Sequence, residues 1–315
     1  MHTREITVYL TTDIKACTAR EEQIFRLRNA FPDFNVTLCA SVEDFITHVH
    51  NADYAVSWEF KKEWYAGAPF LHAVFTPSAG REWIEPDPAG RTPTIFGRFH
   101  GKIMRETLLA MMLYFNRRVF DTLQNQSDRK WERDAYSDTH SLTRQTVLII
   151  GYGNIGRECA KVLKALGAKV IGVKRDLSKG TNDNIADSVI TFDNIIPALR
   201  EADHVVLALP GGRETDGMIN RTHLENMKKT AYIYNMGRGN CIGEEDIVWA
   251  VTYSKIAGFW LDVFDKEPLP LTSKLWRFPN VIITPHSSAF NAEYLDLYFD
   301  ELIQIIKYLE TKRGA

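Results

Sequence analysis

The run Val147-Leu-Ile-Ile-Gly-Tyr-Gly-Asn-Ile-Gly156 constrains this chain more than any other segment. Four apolar, mostly β-branched residues lead straight into glycines spaced G-x-G-x-x-G, and a helix-like run (157–166) follows. A strand that turns sharply into a helix needs Gly151 at the turn. Gly153 leaves the backbone open to a pyrophosphate, and Gly156 lets the helix pack closely on the strand. The helix start then presents N–H groups and a partial positive charge to phosphates. Tyr152, Asn154 and Ile155 complete the expected cradle. Spaced glycines alone recur by chance in loops; the strand before and the helix after give these their weight.

A chain of 315 residues exceeds what one hydrophobic core serves, so two domains are expected. With 45% hydrophobic and 25% charged residues the composition is that of an ordinary globular protein. A net charge of −2 argues against nucleic acid or an anionic membrane as a partner held by bulk electrostatics. No apolar run approaches the ~20 residues of a membrane span, and Met1-His-Thr-Arg-Glu5 lacks the apolar stretch of a secretory leader. Cys17, Cys39, Cys159 and Cys241 form no C-x-x-C pair. They read as structural thiols in a reducing, cytoplasmic setting, with no metal expected.

Strand and helix signals alternate through the first ~95 residues. Strands are expected at 6–10, 35–39, 54–58 and 71–75, and helices at 21–30 and after Ser41, which opens S-x-x-D fashion with Asp44. The Pro/Gly-rich stretch 86–97 reads as a linker. Apolar spacing then predicts one long helix over 102–120, followed by a polar excursion over 124–144 that contains Trp131. A second α/β unit follows, with strands at 147–150, 170–173, 205–209, 231–235, 256–261 and 281–284 and a last helix over 291–309.

Once a dinucleotide cradle is granted, the residues after its second strand decide which cofactor fits. An acid there accepts from the ribose 2′-OH and repels a 2′-phosphate. This chain has Lys174 and Arg175 instead, followed by Asp176. Two cations favour a 2′-phosphate, each charge-assisted contact contributing about 1.5–3 kcal/mol. NADP(H) is therefore expected over NAD(H), with NAD(H) still usable. Three polar residues also stand at the ends of late strands: Arg238 in Asn235-Met-Gly-Arg-Gly239, Glu267 in Asp262-Val-Phe-Asp-Lys-Glu-Pro268, and His286 in Thr284-Pro-His286. Ligands of an open parallel sheet collect at the carboxyl ends of its strands. Taken singly, each residue reads as well as a loop cation, a solvated acid or a cap; together, downstream of a dinucleotide motif, they read as a catalytic set. A histidine can give or take a proton near neutral pH, and an arginine offers a carboxylate a planar fork that a lysine lacks.

These segments, with Leu209-Pro-Gly-Gly-Arg-Glu-Thr215-Asp-Gly217, occur in the order and spacing of the D-isomer-specific 2-hydroxyacid dehydrogenase family. The chain resembles that family over about 140 residues strongly and over its whole length weakly. The glyoxylate/hydroxypyruvate reductase branch looks closest, because its members also carry basic residues after the second strand. The resemblance implies that Arg238 binds the substrate, that His286 is the acid/base and that Glu267 orients it. It further implies that Asp262 meets the nicotinamide carboxamide, and that Leu209, Pro210, Thr215, Met236 and Gly237 border the cofactor, with His286 beside it. Backbone N–H groups of Ser78, Ala79 and Gly80 are expected to take the substrate carboxylate. Three places depart from the family pattern: Thr76-Pro-Ser-Ala-Gly-Arg-Glu-Trp83, with Arg81 and Trp83 at the expected pocket; Phe290 after the histidine; and Met104 and Arg105 in the helix start.

The expected architecture is α/β in two domains: a Rossmann-type doubly wound parallel sheet (100–288) inserted into a smaller flavodoxin-like substrate domain (1–99), which the C-terminal helix (289–315) rejoins. The expected activity is NAD(P)H-dependent reduction of a small 2-keto acid in a cleft between the domains, by a homodimer joined through the Trp131 excursion and the long helix. Two other readings stay open: a dehydrogenase of another small anion, as in the formate and phosphite enzymes, and an NAD(H)-sensing scaffold like the related corepressors.

Overall fold

Short buried strands alternating with amphipathic helices build two all-parallel sheets, each inside its own unit of the chain. The structure is a computed structural model that describes residues 3–178 and 184–313. Met1 and His2, where a leader was sought, lie outside the described residues. The units are Met1–His100 with Phe290–Ala315, and Gly101–Ala289.

Unit 1 contains β1 (Glu5–Tyr9), α1 (Glu21–Ala30), β2 (Asn35–Leu38), α2 (Val42–Val49), β3 (Tyr54–Ser57), β4 (Ala73–Thr76) and β5 (Thr94–Phe96). Their order in the sheet is β2-β1-β3-β4-β5, that of the flavodoxin-like doubly wound sheet. Ser41 caps α2 by accepting from the Asp44 N–H at 3.2 Å, as the S-x-x-D signature predicts. The expected linker over 86–97 is corrected: it carries the edge strand β5, with Thr94 opposite Val74. Before it, the Asp87 carboxylate accepts from the N–H groups of Ala89, Arg91 and Thr92 at 2.9–3.0 Å and fixes the turn. Three strand residues amid prolines are too few to show alternation.

Unit 2 begins with α3 (Gly101–Asn116) and α4 (Val119–Ser127). The single helix expected over 102–120 is thus corrected to two. The Arg118 N–H bonds the Phe115 carbonyl and closes α3, Arg118 turns left-handed at φ 50°, and its Nε meets Asp121 at 2.7 Å. Helix α4 also takes the first residues of the expected excursion, which starts only after Ser127. Then come β6 (Thr146–Ile150), α5 (Asn154–Ala165), β7 (Lys169–Lys174), β8 (Ser188–Thr191), α6 (Ile195–Glu201), β9 (His204–Leu207), α7 (Arg221–Glu225), β10 (Tyr232–Asn235), α8 (Glu244–Thr252), β11 (Gly258–Leu261) and β12 (Val281–Ile283). Strands β8 and β5 were not foreseen. The sheet order is β12-β11-β10-β9-β6-β7-β8, so the winding reverses between β6 and β9.

Along β6, Leu148 and Ile150 enter one core with Val205, Ile233 and Phe259, while Val147 and Ile149 enter the other with Val206, Tyr234 and Trp260. Both faces are covered, which is why β6 reads as an unbroken apolar run. Helix α5 buries Gly156, Cys159, Ala160 and Leu163 on one stripe. It ends in a Schellman motif: Gly167, at φ 81°, donates to Lys164 O, and Ala168 donates to Leu163 O. In unit 1 the last helix, α9 (Tyr294–Arg313), sits on α1, where Asp296 takes Gln23 Nε2 at 2.9 Å and Arg26 at 3.4 Å. None of the described helices is long and apolar enough to cross a membrane.

The amino ends of the unit 2 strands hold a buried polar chain. His204, with no exposed surface, meets Tyr234 Oη through Nδ1 at 2.9 Å and Gln145 Oε1 through Nε2 at 3.0 Å, and Asn116 Nδ2 donates to the same Gln145 oxygen. An amide oxygen only accepts, so Nε2 carries the proton and Nδ1 accepts from the tyrosine. Burial pushes the His204 imidazole down to about 4. The neutral ring is the one the fold holds, so its contribution is complete above the unfolded value near 6.5 and is lost as pH falls from there towards 4. The loss amounts to roughly 3 kcal/mol. Urea unfolding midpoints should therefore fall across that window, and the fall should flatten in His204→Gln.

Candidate active site

The glycine turn sits where the sheet reverses. Gly151 lies at φ 96°, and a Cβ there would come within 2.6 Å of the Ala208 carbonyl carbon. Glycine is required at this point because β6 and β9 diverge too little to admit a side chain. A Cβ on Gly156 would lie 2.6 Å from Gly151 O and 3.0 Å from Ile149 Cγ2, the close helix-on-strand approach foreseen. Gly153 faces open space within 4 Å and immediately precedes α5. An uncovered backbone at a helix start fits a pyrophosphate. Asn154 and Ile155 open the helix. The Tyr152 side chain is buried against Gly172, where even a Cβ would lie 2.5 Å from the ring.

Gly237 and Met236 follow β10, and a Cβ on Gly237 would lie 2.6 Å from the Leu209 N and O atoms. The two loops therefore run side by side. Met236 is buried, Leu209 half-buried and Pro210 exposed. The buried Thr215 hydroxyl donates to the Pro210 and Gly212 carbonyls, both at 2.9 Å.

Arg238 is braced on both sides. Asn235 Oδ1 accepts from the Gly237 N–H at 3.2 Å, Asn235 Nδ2 donates to Arg238 O at 3.0 Å, and Arg238 Nη1 donates to Gly237 O at 2.8 Å. The last bond engages one of the five guanidinium N–H donors. Gly239 lies against the Phe264–Asp265 backbone more closely than any side chain allows. The loop bearing Arg238 thus abuts the loop bearing Glu267.

Glu267 and His286 meet directly. Glu267 Oε1 accepts from the Phe264 N–H at 2.9 Å, and Oε2 lies 2.9 Å from His286 Nδ1. A carboxylate there selects the Nδ1–H tautomer and leaves Nε2 for proton exchange. With side chains 36% and 49% exposed respectively, the acid and the ring remain open to a reactant. His286 itself stands left-handed at φ 53°, a conformation that persists only where its surroundings impose it.

Asp262 imposes it. This fully buried residue accepts at Oδ1 from Thr284 Oγ1 (2.6 Å) and the Ser287 N–H (2.9 Å), and at Oδ2 from the Ser288 N–H (3.0 Å). Its carbonyl takes the His286 N–H at 2.8 Å. Trp260 Nε1 fixes Thr284 Oγ1 from the other side at 3.0 Å. Asp262 therefore shapes the turn that presents His286, a bracing task that was not foreseen. Asn235, Thr284, Trp260, Ser287 and Ser288 were missed altogether.

Lys174 ends β7 and Arg175 follows it. Lys174 Nζ stands 5.8 Å from the Tyr152 ring centroid, and Arg175 pairs with Glu214. Asp176 Oδ1 takes the Ser178 N–H at 2.8 Å. Ser78, Ala79 and Gly80 belong to unit 1, and every other expected site residue to unit 2. The Ser78 N–H already bonds Thr76 Oγ1 at 3.3 Å, and its hydroxyl bonds Gly80 O at 3.0 Å. Arg81 stands 5.5 Å from the Phe96 ring, and Trp83 is exposed. Among the described residues one trio of possible metal ligands gathers, Cys39, Asp44 and His48 in unit 1.

A doubly wound sheet with a bare glycine turn at its reversal defines a dinucleotide-binding fold, and a histidine–carboxylate pair stands on its neighbouring loops. Residues 109–288 match the model of the D-isomer specific 2-hydroxyacid dehydrogenase, NAD binding domain. The glyoxylate/hydroxypyruvate reductase A of Escherichia fergusonii is 30% identical over 273 residues, covering 84% of this chain and 83% of that one. A D-3-phosphoglycerate dehydrogenase of Synechocystis sp. is 37% identical over 188 residues, 60% of this chain; that match spans only 33% of the longer protein. Among solved structures, a D-isomer specific 2-hydroxyacid dehydrogenase family protein from Aeromonas salmonicida superposes with a TM-score of 0.79 at 28% identity, covering 100% of this chain and 97% of that one. A probable 2-hydroxyacid dehydrogenase from Rhizobium etli, in complex with NADP, HEPES and L(+)-tartaric acid, gives 0.77 at 25% identity, covering 98% and 95%. The chain belongs to the D-isomer-specific 2-hydroxyacid dehydrogenases, a family of oxidoreductases.

If Asp262 holds the His286 turn, Asp262→Asn sets an NH2 against at least one of the backbone N–H groups of Ser287 and Ser288. Unfolding free energy should drop by about 2–3 kcal/mol, read by urea titration, with activity lost well below the new midpoint. Unchanged stability would show that the turn stands without it.

Proposed function

We propose that this chain reduces a small 2-keto acid of the glyoxylate or hydroxypyruvate type to the D-2-hydroxy acid, with NADPH as the preferred cofactor. The observation that carries this reading is the 2.9 Å pair of Glu267 and His286 at the carboxyl ends of strands in a sheet whose reversal point is bare glycine. The reductase relatives matched over most of the chain support the substrate class.

A bound reduced nicotinamide supplies the hydride. The protein's own part is electrostatic and prototropic. Protonated His286 gives its Nε2 proton to the alkoxide oxygen as charge develops there, while Glu267 holds the ring by Nδ1 and offsets its charge. Arg238, fixed by Asn235, offers its planar fork to the substrate carboxylate. Gly151, Gly153, Asn154, Ile155 and Gly156 receive the pyrophosphate, while Leu209, Pro210, Thr215, Met236 and Gly237 border the cofactor. The main-chain N–H groups of Ala79 and Gly80, with Ser78, are the proposed unit 1 contribution to carboxylate binding. Lys174 and Arg175 favour a 2′-phosphate. Exposed Leu113, Phe120, Leu123 and Trp131 support a homodimer joined through α3, α4 and the following segment, and the four buried, unpaired cysteines suit a cytoplasmic setting.

Purified protein should oxidise NADPH against glyoxylate or hydroxypyruvate, and His286→Gln should lower kcat about 10²–10⁴-fold while cofactor binding persists. Turnover with formate or phosphite alone would replace this reading with the small-anion dehydrogenase. No turnover, joined to NADH-dependent capture of a protein partner, would replace it with the scaffold. Lys174→Asp should move the ratio of kcat/KM values towards NADH by about tenfold, and an unmoved ratio would remove Lys174 from cofactor choice.

A further inference from the structure

The cation placed to meet a 2′-phosphate already has an anion beside it. Arg175 follows β7, Glu214 lies in the loop after β9, and their side chains form an ion pair although they are 74% and 70% exposed. Strand β6 lies between those two strands, so the pair spans the glycine turn. Both sides are anchored. The Gly151 and Tyr152 N–H groups bond Val173 O at 3.2 and 2.9 Å, two residues before Arg175. Gly212 to Thr215 form a turn closed by Thr215 N–H to Gly212 O at 2.9 Å and by the buried Thr215 hydroxyl, and Asn240 Nδ2 bonds Gly212 O at 3.3 Å. The turn itself therefore delivers Glu214 to Arg175.

We infer that Glu214 is a specificity-determining residue that competes with the 2′-phosphate of NADPH for Arg175 and so keeps NADH usable. The inference rests on the reading of Lys174 and Arg175 as the 2′-phosphate contacts. Sheets of this kind that select NADH carry an acid after the second strand, where it accepts from the ribose 2′-OH and repels a phosphate. This chain has cations there and brings the acid from the neighbouring loop. Glu214 already engages part of the Arg175 guanidinium and offsets its charge. NADPH must therefore displace or crowd that pair and place a dianion near a carboxylate, whereas NADH leaves the pair intact. The pair is exposed and easily broken, so Glu214 tempers the preference set by the cations without reversing it. Lys174 and Asp176 adjoin Arg175 in sequence, and Arg213 and Asp216 flank Glu214.

The test is calorimetric titration of the full-length protein with NADP+, NAD+ and 2′,5′-ADP, for wild type, Glu214→Gln, Arg175→Ala and the double variant. Glu214→Gln should tighten NADP+ and 2′,5′-ADP about three- to tenfold, with NAD+ unchanged or slightly weaker. That gain should vanish in the Arg175→Ala background and shrink in 0.5 M salt, as screening requires. Arg175→Ala weakening NADP+ while Glu214→Gln leaves it unchanged or weaker would overturn the competition and leave the phosphate site standing. Arg175→Ala leaving the NADP+ to NAD+ ratio unchanged would overturn both. Circular dichroism of each variant separates these outcomes from misfolding.

Discussion

One buried carboxylate organises the candidate site. Asp262 has no exposed surface, yet it takes three donors from Thr284, Ser287 and Ser288 and receives the His286 N–H on its carbonyl. An anion in a core persists only when donors surround it, and here every donor comes from the turn that lifts His286 out of the sheet. The left-handed backbone of His286 and its pairing with Glu267 follow from that arrangement. Arg238 relies on the same economy of backbone bracing, with Asn235 gripping its loop by both ends of one amide.

What the sequence made legible is what repeats or ends. The β6 run, buried on both faces, and the glycines after it announced the cradle, because unbroken apolarity and spaced glycine each have few other causes. Arg238, Glu267 and His286 were visible because each is a polar residue just past an apolar strand. What stayed hidden has no period. Asp262 resembles any strand-end acid until its donors are known, and Thr284 and Trp260 act through single side-chain hydrogen bonds. The interruption at Arg118 leaves no mark in the sequence, since Arg118 is neither glycine nor proline and apolar residues continue past it at Val119, Phe120 and Leu123. Strand β5 is too short for alternation, and the buried role of Tyr152 depends on the space over Gly172, which belongs to another strand.

The two ends of the unit 2 sheet are built on opposite terms. At the amino ends, His204, Gln145, Asn116 and Tyr234 form a closed, neutral chain in which donors and acceptors are matched. At the carboxyl ends, charge is concentrated and partly exposed, and glycines hold the loops too close for side chains. A rigid, satisfied base opposite a charged, open rim is the arrangement that lets a sheet hold reactive groups without loosening.

The path of the chain has a consequence for how the protein is made. Unit 2 is continuous in sequence, whereas unit 1 is closed by α9, whose Asp296 and Asp300 reach Arg26 on α1. On a ribosome, every strand of unit 2 emerges before that helix. The nascent first unit therefore waits, with the α1 face that α9 covers still bare, until translation has passed the second. Synthesis order thus lets unit 2 be complete in the emerging chain before unit 1 is.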